Sequence, residues 1–291
     1  MSDMKYEAPE TVEAAVALLA GAGGEAWVLA GGTDLLVQMH AELVQPDLIV
    51  DIKRITELRE IGVEASGFRI GAAVAGAELG EHAELKAEWP GVVEAAELIG
   101  STQIQGRASM GGNLCNGSPA ADSVPALIAA RATVSIVGPD GRREVPVETV
   151  ITGPGQTSLL RGELVASFFL PRRGDGQGDA YLRFIPRTEL DIAVVGAGVC
   201  LTREGDQCTG ARVALGAVAP TPLLVEDAAA AIVGTTMDEA ALANLAAAAS
   251  AACDPIDDKR GTKEFRTEVA GVMAKRAALV AWERAARGTE Q

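Results

Sequence analysis

The sequence predicts an α+β chain in two parts: a mixed first part that opens on a small α/β unit, and a second part with an antiparallel sheet and packed helices. Three observations carry this. Helical and strand-like patterns alternate from Pro9 to Ile52, as in a small α/β unit. Two long strand-like stretches, 192–201 and 209–218, are joined across Arg203-Glu204-Gly205-Asp206, which predicts an antiparallel hairpin. The remainder is Ala-rich and helical over about 226–233, 236–252 and 262–287, broken at Asp254-Pro255. With 291 residues, 48% of them hydrophobic, the chain can bury two cores.

In chain order, the first helix runs over 9–21, with Thr11 as its N-cap and Gly21 as its stop. Trp27-Val28-Leu29 is a short apolar strand. The chain turns at Gly31-Gly32 and continues as an amphipathic helix from Thr33 to about Leu43. Leu48 to Ile52 is the next strand. Residues 68–74 alternate like a strand and 92–99 read as a helix. Residues 101–123, rich in Gly, Ser and Asn, read as an extended loop, and a loop of that length in a compact domain is usually functional. Thr133 to Val137, the turn Pro139-Asp140-Gly141, and Arg143 to Val147 form a hairpin. Leu164 to Leu170 is a strand. The polar run Arg172 to Asp179 is the best linker, dividing the chain into 1–175 (subdomains about 1–56 and 57–175) and 176–291.

Composition narrows the function classes. A net charge of −15 with no dense basic block repels nucleic acid and anionic membrane. Aromatics at 3% supply few stacking surfaces for single strands. The start, Met1-Ser2-Asp3-Met4-Lys5, lacks the regions of a signal peptide, and no apolar run spans a bilayer. The chain reads as cytoplasmic. Cys115, Cys200, Cys208 and Cys253 fit no zinc or iron–sulfur spacing and read as small buried thiols. His40 and His82 are the only histidines, so no metal site is expected.

Two segments have the chemistry of an anion-binding backbone. Leu29-Ala30-Gly31-Gly32-Thr33-Asp34-Leu35 lies where a strand becomes a helix. Glycines there let N–H groups approach a diphosphate, and the Thr33 hydroxyl can assist. The segment matches neither the Gly-x-Gly-x-x-Gly nor the phosphate-loop pattern. Gly-Gly occurs three times among 33 glycines, so local physics leaves a plain turn open for Gly31-Gly32. Asp34 reads equally as a first-turn acid. The second segment is Ser109-Met110-Gly111-Gly112-Asn113, followed at Asp122 by a carboxylate able to accept from a sugar or ribityl hydroxyl.

Together these loops carry a resemblance. Ala30 to Leu36 resembles the first flavin loop of the FAD-binding subunits of molybdenum hydroxylases, the carbon monoxide and xanthine dehydrogenase family. Ser109 to Asn113 resembles the second, usually Thr-Ile-Gly-Gly-Asn. Asp122 matches an acid in a Pro-Ala-x-Asp context, and Tyr181-Leu182-Arg183-Phe184 with Arg187 and Asp191-Ile192-Ala193 resembles the start of the family's C-terminal domain. The resemblance covers nearly the whole chain. It implies a two-part FAD-binding module of the PCMH type, then a C-terminal flavoprotein domain. It implies FAD on this chain, with the pyrophosphate on Ala30–Asp34 and Ser109–Asn113 and with Leu29, Leu35, Asp122 and Arg183 nearby. Molybdopterin would lie on a large partner subunit and [2Fe-2S] clusters on a small one, the whole a dimer of heterotrimers. The chain would then be an oxidoreductase component that passes electrons from those clusters to an external acceptor, with no catalytic residue of its own. Arg183 stands where Lys is common, and Ile192 lies where some members place an aromatic over the ring. Val at Gly31 or Gly112 is expected to abolish flavin retention in a folded chain.

The remaining residues have plainer readings. Arg187 pairs with Asp191 or is a surface charge, Cys115 is a small filler, Trp27, Trp89 and Trp282 are core or interface residues, and His82 is exposed. Two rival functions remain: a stand-alone FAD-dependent reductase, such as one acting on a nucleotide-sugar enol ether, and a non-catalytic assembly protein of the same fold.

Overall fold

The computed structural model describes residues 4–187 and 190–287; the leader-free reading of residues 1–3 lies outside them. The chain opens with β1 (Lys5–Glu7), α1 (Val12–Gly21), β2 (Ala26–Leu29), α2 (Leu35–His40) and β3 (Leu48–Asp51). The strands form a parallel sheet in the order β1-β3-β2. Helix α1 buries Val12, Ala15, Val16 and Leu19, the spacing of one helical face, and Thr11 Oγ1 accepts from the Ala14 N–H at 3.2 Å. Strand β1 was not expected: its three residues are all exposed and show no hydrophobic period. Helix α2 is shorter than the 33–43 expected. Leu36, Val37 and Leu43 stay exposed, so no packing sustains another turn, and Glu42 takes a positive φ of 58°.

The second unit holds β4 (Ile61–Glu64), β5 (Gly67–Gly71), α3 (Gly76–Glu81), α4 (Ala83–Glu88), α5 (Pro90–Glu97), α6 (Thr102–Gln105), α7 (Met110–Cys115), α8 (Ser123–Ala129), β6 (Thr133–Gly138), β7 (Gly141–Pro146), β8 (Ile151–Gly153), β9 (Gln156–Thr157) and β10 (Leu164–Pro171). Its main sheet is antiparallel in the order β4-β5-β10-β6-β7. Phe68, Trp89, Leu127 and Phe168 lie in its core. The extended loop expected over 101–123 is instead α6, α7 and the start of α8. Small residues hide the helical period, but Met110, Gly111 and Leu114 are buried and Ser109 caps the turn. His82 is also not simply exposed: its Nδ1 accepts from the Leu85 N–H at 3.2 Å, and its ring meets Phe68 edge-on.

The last unit is an antiparallel sheet of β11 (Gln177–Phe184), β12 (Val195–Glu204), β13 (Gln207–Gly216) and β14 (Leu223–Leu224), with α9 (Glu226–Ala230), α10 (Glu239–Ala251) and α11 (Lys263–Arg287). The β12–β13 hairpin and the three helices match the sequence reading, and they close a separate core around Val199, Leu215, Leu245 and Ala274. The polar run 172–179 is tied down rather than loose. Arg172 pairs with Glu88 at 2.6 Å, Arg173 pairs with Asp179 at 3.2 Å, and Asp179 accepts from the Gly91 N–H at 2.8 Å. Arg284 of α11 reaches across to Glu94 of α5. Arg187 does pair with Asp191, at 2.9 Å. Among the described residues no helix is long and apolar enough to cross a membrane, and no cluster of His, Cys, Asp and Glu could hold a metal ion.

Candidate functional site

The first glycine segment follows the carboxyl end of β2, the end of a parallel strand where open α/β sheets bind ligands. It faces the second segment, at the start of α7, across a cleft of about 1040 Å³ including its mouth. Ala30 through Leu35 line it, with Ser109, Gly111, Gly112 and Asn113 opposite. Apolar walls come from Val28, Ile52, Ile99, Leu159 and Leu164. Ala166 lies in an irregularity of β10 between Val165 and Ser167, next to Leu164 and Val165 in the cleft wall.

The two segments offer different chemistry. In the first, the N–H groups of Gly31, Gly32, Thr33, Asp34 and Leu35 have no acceptor among the described residues, and Asp34 makes no side-chain cap. Gly32 has φ +78°, a conformation favouring glycine. A Cβ on Gly31 would fall on the Arg107 carbonyl oxygen, so Gly31 lets the two segments close on each other. In the second segment most donors are spent. Gly112 N–H donates to Ser109 Oγ at 3.1 Å, Gly111 N–H to Ala72 O, and Asn113 N–H to Ser109 O. Asn113 Oδ1 accepts from Ser123 and so braces α7 against α8. The second segment is therefore a wall more than a nest of donors.

The two glycines expected to behave alike do not. Beyond Gly112 a Cβ would meet only Ser109 Oγ, at 3.3 Å, so the space there is open. Val at Gly31 would break the joint between the segments, and the expectation that such a chain stays folded is withdrawn for that position.

Not every sequence-predicted residue reaches the cleft. Leu29 and Met110 are buried side chains. Asp122 and Arg183 meet each other at 3.0 Å, away from the cleft lining, and Arg183 also donates to Leu98 O at 2.7 Å. Tyr181 O–H donates to Asp122 at 3.4 Å. Burial raises the Asp122 carboxyl to about 6 despite Arg183. Its acceptor capacity is thus already shared within the chain.

Sequence reasoning missed Gln38 and Asn116, whose side chains line the cleft and meet at 3.0 Å. Gln38 lies one helical turn beyond Asp34, which was a usable signal; its partner was not legible. Cys115 is no buried filler but an exposed residue in the cleft wall. The protein around it nonetheless desolvates the sulfur and pushes it up to about 12, so it is a neutral thiol and not a nucleophile.

A dinucleotide such as FAD fits this donor set. The lining contains no Lys or Arg, so a diphosphate would rest on peptide N–H groups and the Thr33 and Ser109 hydroxyls. Of the two lining carboxylates, Glu163 is neutralised by Arg143 at 2.8 Å. Asp34 is left at the mouth, its carboxyl raised by desolvation.

Two domain families match this chain. The family described as "FAD binding domain in molybdopterin dehydrogenase" matches residues 2–173, and "CO dehydrogenase flavoprotein C-terminal domain" matches 180–281. The carbon monoxide dehydrogenase medium chain of Hydrogenophaga pseudoflava is 37% identical, over 97% of this chain and 98% of its own. The xanthine dehydrogenase FAD-binding subunit of Escherichia coli O157:H7 is 32% identical, over 93% of each. Among solved structures, H. pseudoflava carbon monoxide dehydrogenase lacking the Mo-pyranopterin moiety superposes with TM-score 0.93 at 38% identity, covering 97% of this chain and 98% of that one. Quinoline 2-oxidoreductase from Pseudomonas putida 86 gives 0.90 at 26% identity, with the same coverage.

Proposed function

The chain belongs to the family of FAD-binding subunits of molybdopterin dehydrogenases, as a medium chain of the molybdenum hydroxylase type and the flavoprotein component of an oxidoreductase; from that membership we propose that it is the electron outlet of a multi-subunit complex. Electrons arrive from [2Fe-2S] clusters on a small partner chain and leave to an external acceptor. A large chain carries the molybdopterin and the substrate pocket, and the complex is a dimer of heterotrimers. Bound FAD would supply the exchange between one-electron and two-electron carriers.

The observation that carries this reading is the single cleft into which both glycine segments open, one of them with five consecutive unsatisfied N–H groups. Ala30 to Leu35 hold the diphosphate by hydrogen bonds, strengthened because the acceptor is charged. Ser109, Gly111, Gly112 and Asn113 form the facing wall. Leu29 and Met110 fix those segments from the core. Asp122 and Arg183 pair with each other outside the cleft lining and belong to the site by the family resemblance alone. Relatives named for carbon monoxide, xanthine and quinoline share this architecture, which supports substrate choice by another chain. A core built wholly from residues after the 172–179 joint supports domains of 1–175 and 176–291, with Tyr181, Cys200 and Ala214 of the second domain packed into the core of the first. Free thiols at all four cysteines suit the reducing cytoplasm.

The test is the visible spectrum of what co-purifies with the chain. Flavin bands under broad iron–sulfur absorption, with molybdenum and iron present, are expected. Flavin on a lone chain without metals would favour the stand-alone reductase. A colourless chain that takes up no FAD would overturn the proposal.

A further inference from the structure

The first glycine segment is underpinned by a chain of polar contacts that the cleft itself does not contain. Lys53, just past the end of β3, donates from Nζ to the Ala30 carbonyl at 3.1 Å. The same ammonium pairs with Asp51 Oδ1 at 2.8 Å, and the Lys53 backbone N–H donates to that oxygen at 2.9 Å. The other Asp51 oxygen accepts from the Tyr6 hydroxyl at 2.5 Å. Asp51 is 6% exposed, so its carboxylate is spent on holding Lys53 rather than facing solvent. Burial works against its charge, but the hydrogen bonds from Lys53 and Tyr6 leave its carboxyl below the ordinary range.

The geometry of the peptide unit gives this chain of contacts a consequence. The Ala30–Gly31 bond is trans, as are all those described, so its C=O and N–H point in opposite directions across one plane. Fixing the Ala30 oxygen on Lys53 therefore fixes the Gly31 N–H on the far side of that plane. That N–H has no acceptor among the described residues, and both Ala30 and Gly31 line the cleft. A cation on the carbonyl also withdraws electron density through the peptide and makes its N–H a better donor. Glycine at 31 would otherwise leave this plane free to turn. The orientation is set from the neighbouring strands, since the cleft lining supplies no cationic side chain of its own.

We propose that Lys53, held by Asp51 and Tyr6, is a positioning residue that aims the Gly31 N–H at the diphosphate of the bound dinucleotide. The inference rests on the reading of the cleft as the FAD site. Lys53 does not touch the ligand; it acts through the Ala30–Gly31 peptide.

The test uses the full chain stripped of flavin, with FAD and ADP affinities measured by calorimetry and the unfolding midpoint of the ligand-free chain measured in urea. Lys53→Met is expected to weaken FAD and ADP by the same factor, roughly tenfold for one misdirected charge-assisted hydrogen bond. Lys53→Arg, which keeps a donor in reach, is expected to restore most of it. Tyr6→Phe, which removes one hydroxyl from an exposed side chain, is expected to weaken both ligands in the same direction by a smaller factor. Unchanged affinities in both Lys53→Met and Tyr6→Phe would overturn the inference while leaving the FAD site standing. So would a loss that tracks the urea midpoint and is not rescued by Arg, which is the mark of a merely structural lysine. A parent chain that binds neither FAD nor ADP would overturn the reading of the cleft, and the inference with it.

Discussion

Gly112→Ala sets the demands of the fold against those of the ligand. Gly112 lies in the first turn of α7 with a negative φ, so the backbone accepts any residue. Replacing a helical Gly by Ala stabilises by up to about 1 kcal/mol. The new methyl would have one close neighbour, Ser109 Oγ at 3.3 Å, which has to give by a few tenths of an ångström. The same methyl stands in the cleft wall, where a diphosphate has to approach the backbone. Pushing the ligand back by the width of a methyl costs one charge-assisted hydrogen bond, about 1.5–3 kcal/mol, or roughly 10- to 100-fold in affinity. Urea unfolding of the flavin-free chain and FAD titration followed by flavin fluorescence measure the two effects separately. The expected result is a chain at least as stable as the parent that binds FAD at least tenfold more weakly. Binding within twofold of the parent, or a clear loss of stability, would refute the placement of Gly112 at the ligand face.

Three further outcomes are expected. Gln38→Ala and Asn116→Ala should each weaken FAD about three- to tenfold, the value of one hydrogen bond, with the double variant no weaker than either single; additive losses in the titration would show that the pair does not act as a unit. Burial raises the Asp179 carboxyl to about 6 from an ordinary value of 3.8. The folded state therefore binds more protons than the unfolded one between those values, and stability falls as pH rises through that window; Asp179→Asn should flatten that fall in urea midpoints taken from pH 4 to 7, and an unaltered slope would exclude Asp179 as its source. Gly178 lies flush against α11, where a Cβ would strike the Ala281 carbonyl; Gly178→Ala should cost about 1–3 kcal/mol in calorimetric melting, and an unshifted melting temperature would show that β11 and α11 part without penalty.

Much of this protein was legible in its sequence. Thr11 and the Val12, Ala15, Val16, Leu19 spacing fix α1 locally, and the turn at Gly205 fixes the β12–β13 hairpin. The two Gly-Gly segments, in order and at their spacing, marked the flavin family, because close backbone approach to a diphosphate tolerates few alternatives. The remainder was decided by tertiary contact. Strand β1 has no pattern of its own and exists by pairing with β3. Helix α7 forms where small residues conceal any period, because burial of Met110 and Leu114 selects it. The sequence treated Gly31 and Gly112 as equals; only the fold places one against the Arg107 carbonyl and leaves the other open. Pairings such as Gln38–Asn116, Tyr6–Asp51 and Lys53–Ala30 join residues far apart along the chain. Local propensity and periodicity act over a few residues, so they specify elements and recurring motifs. Which donor remains free, and which carboxylate is already taken, depends on distances that exist only once those elements have packed.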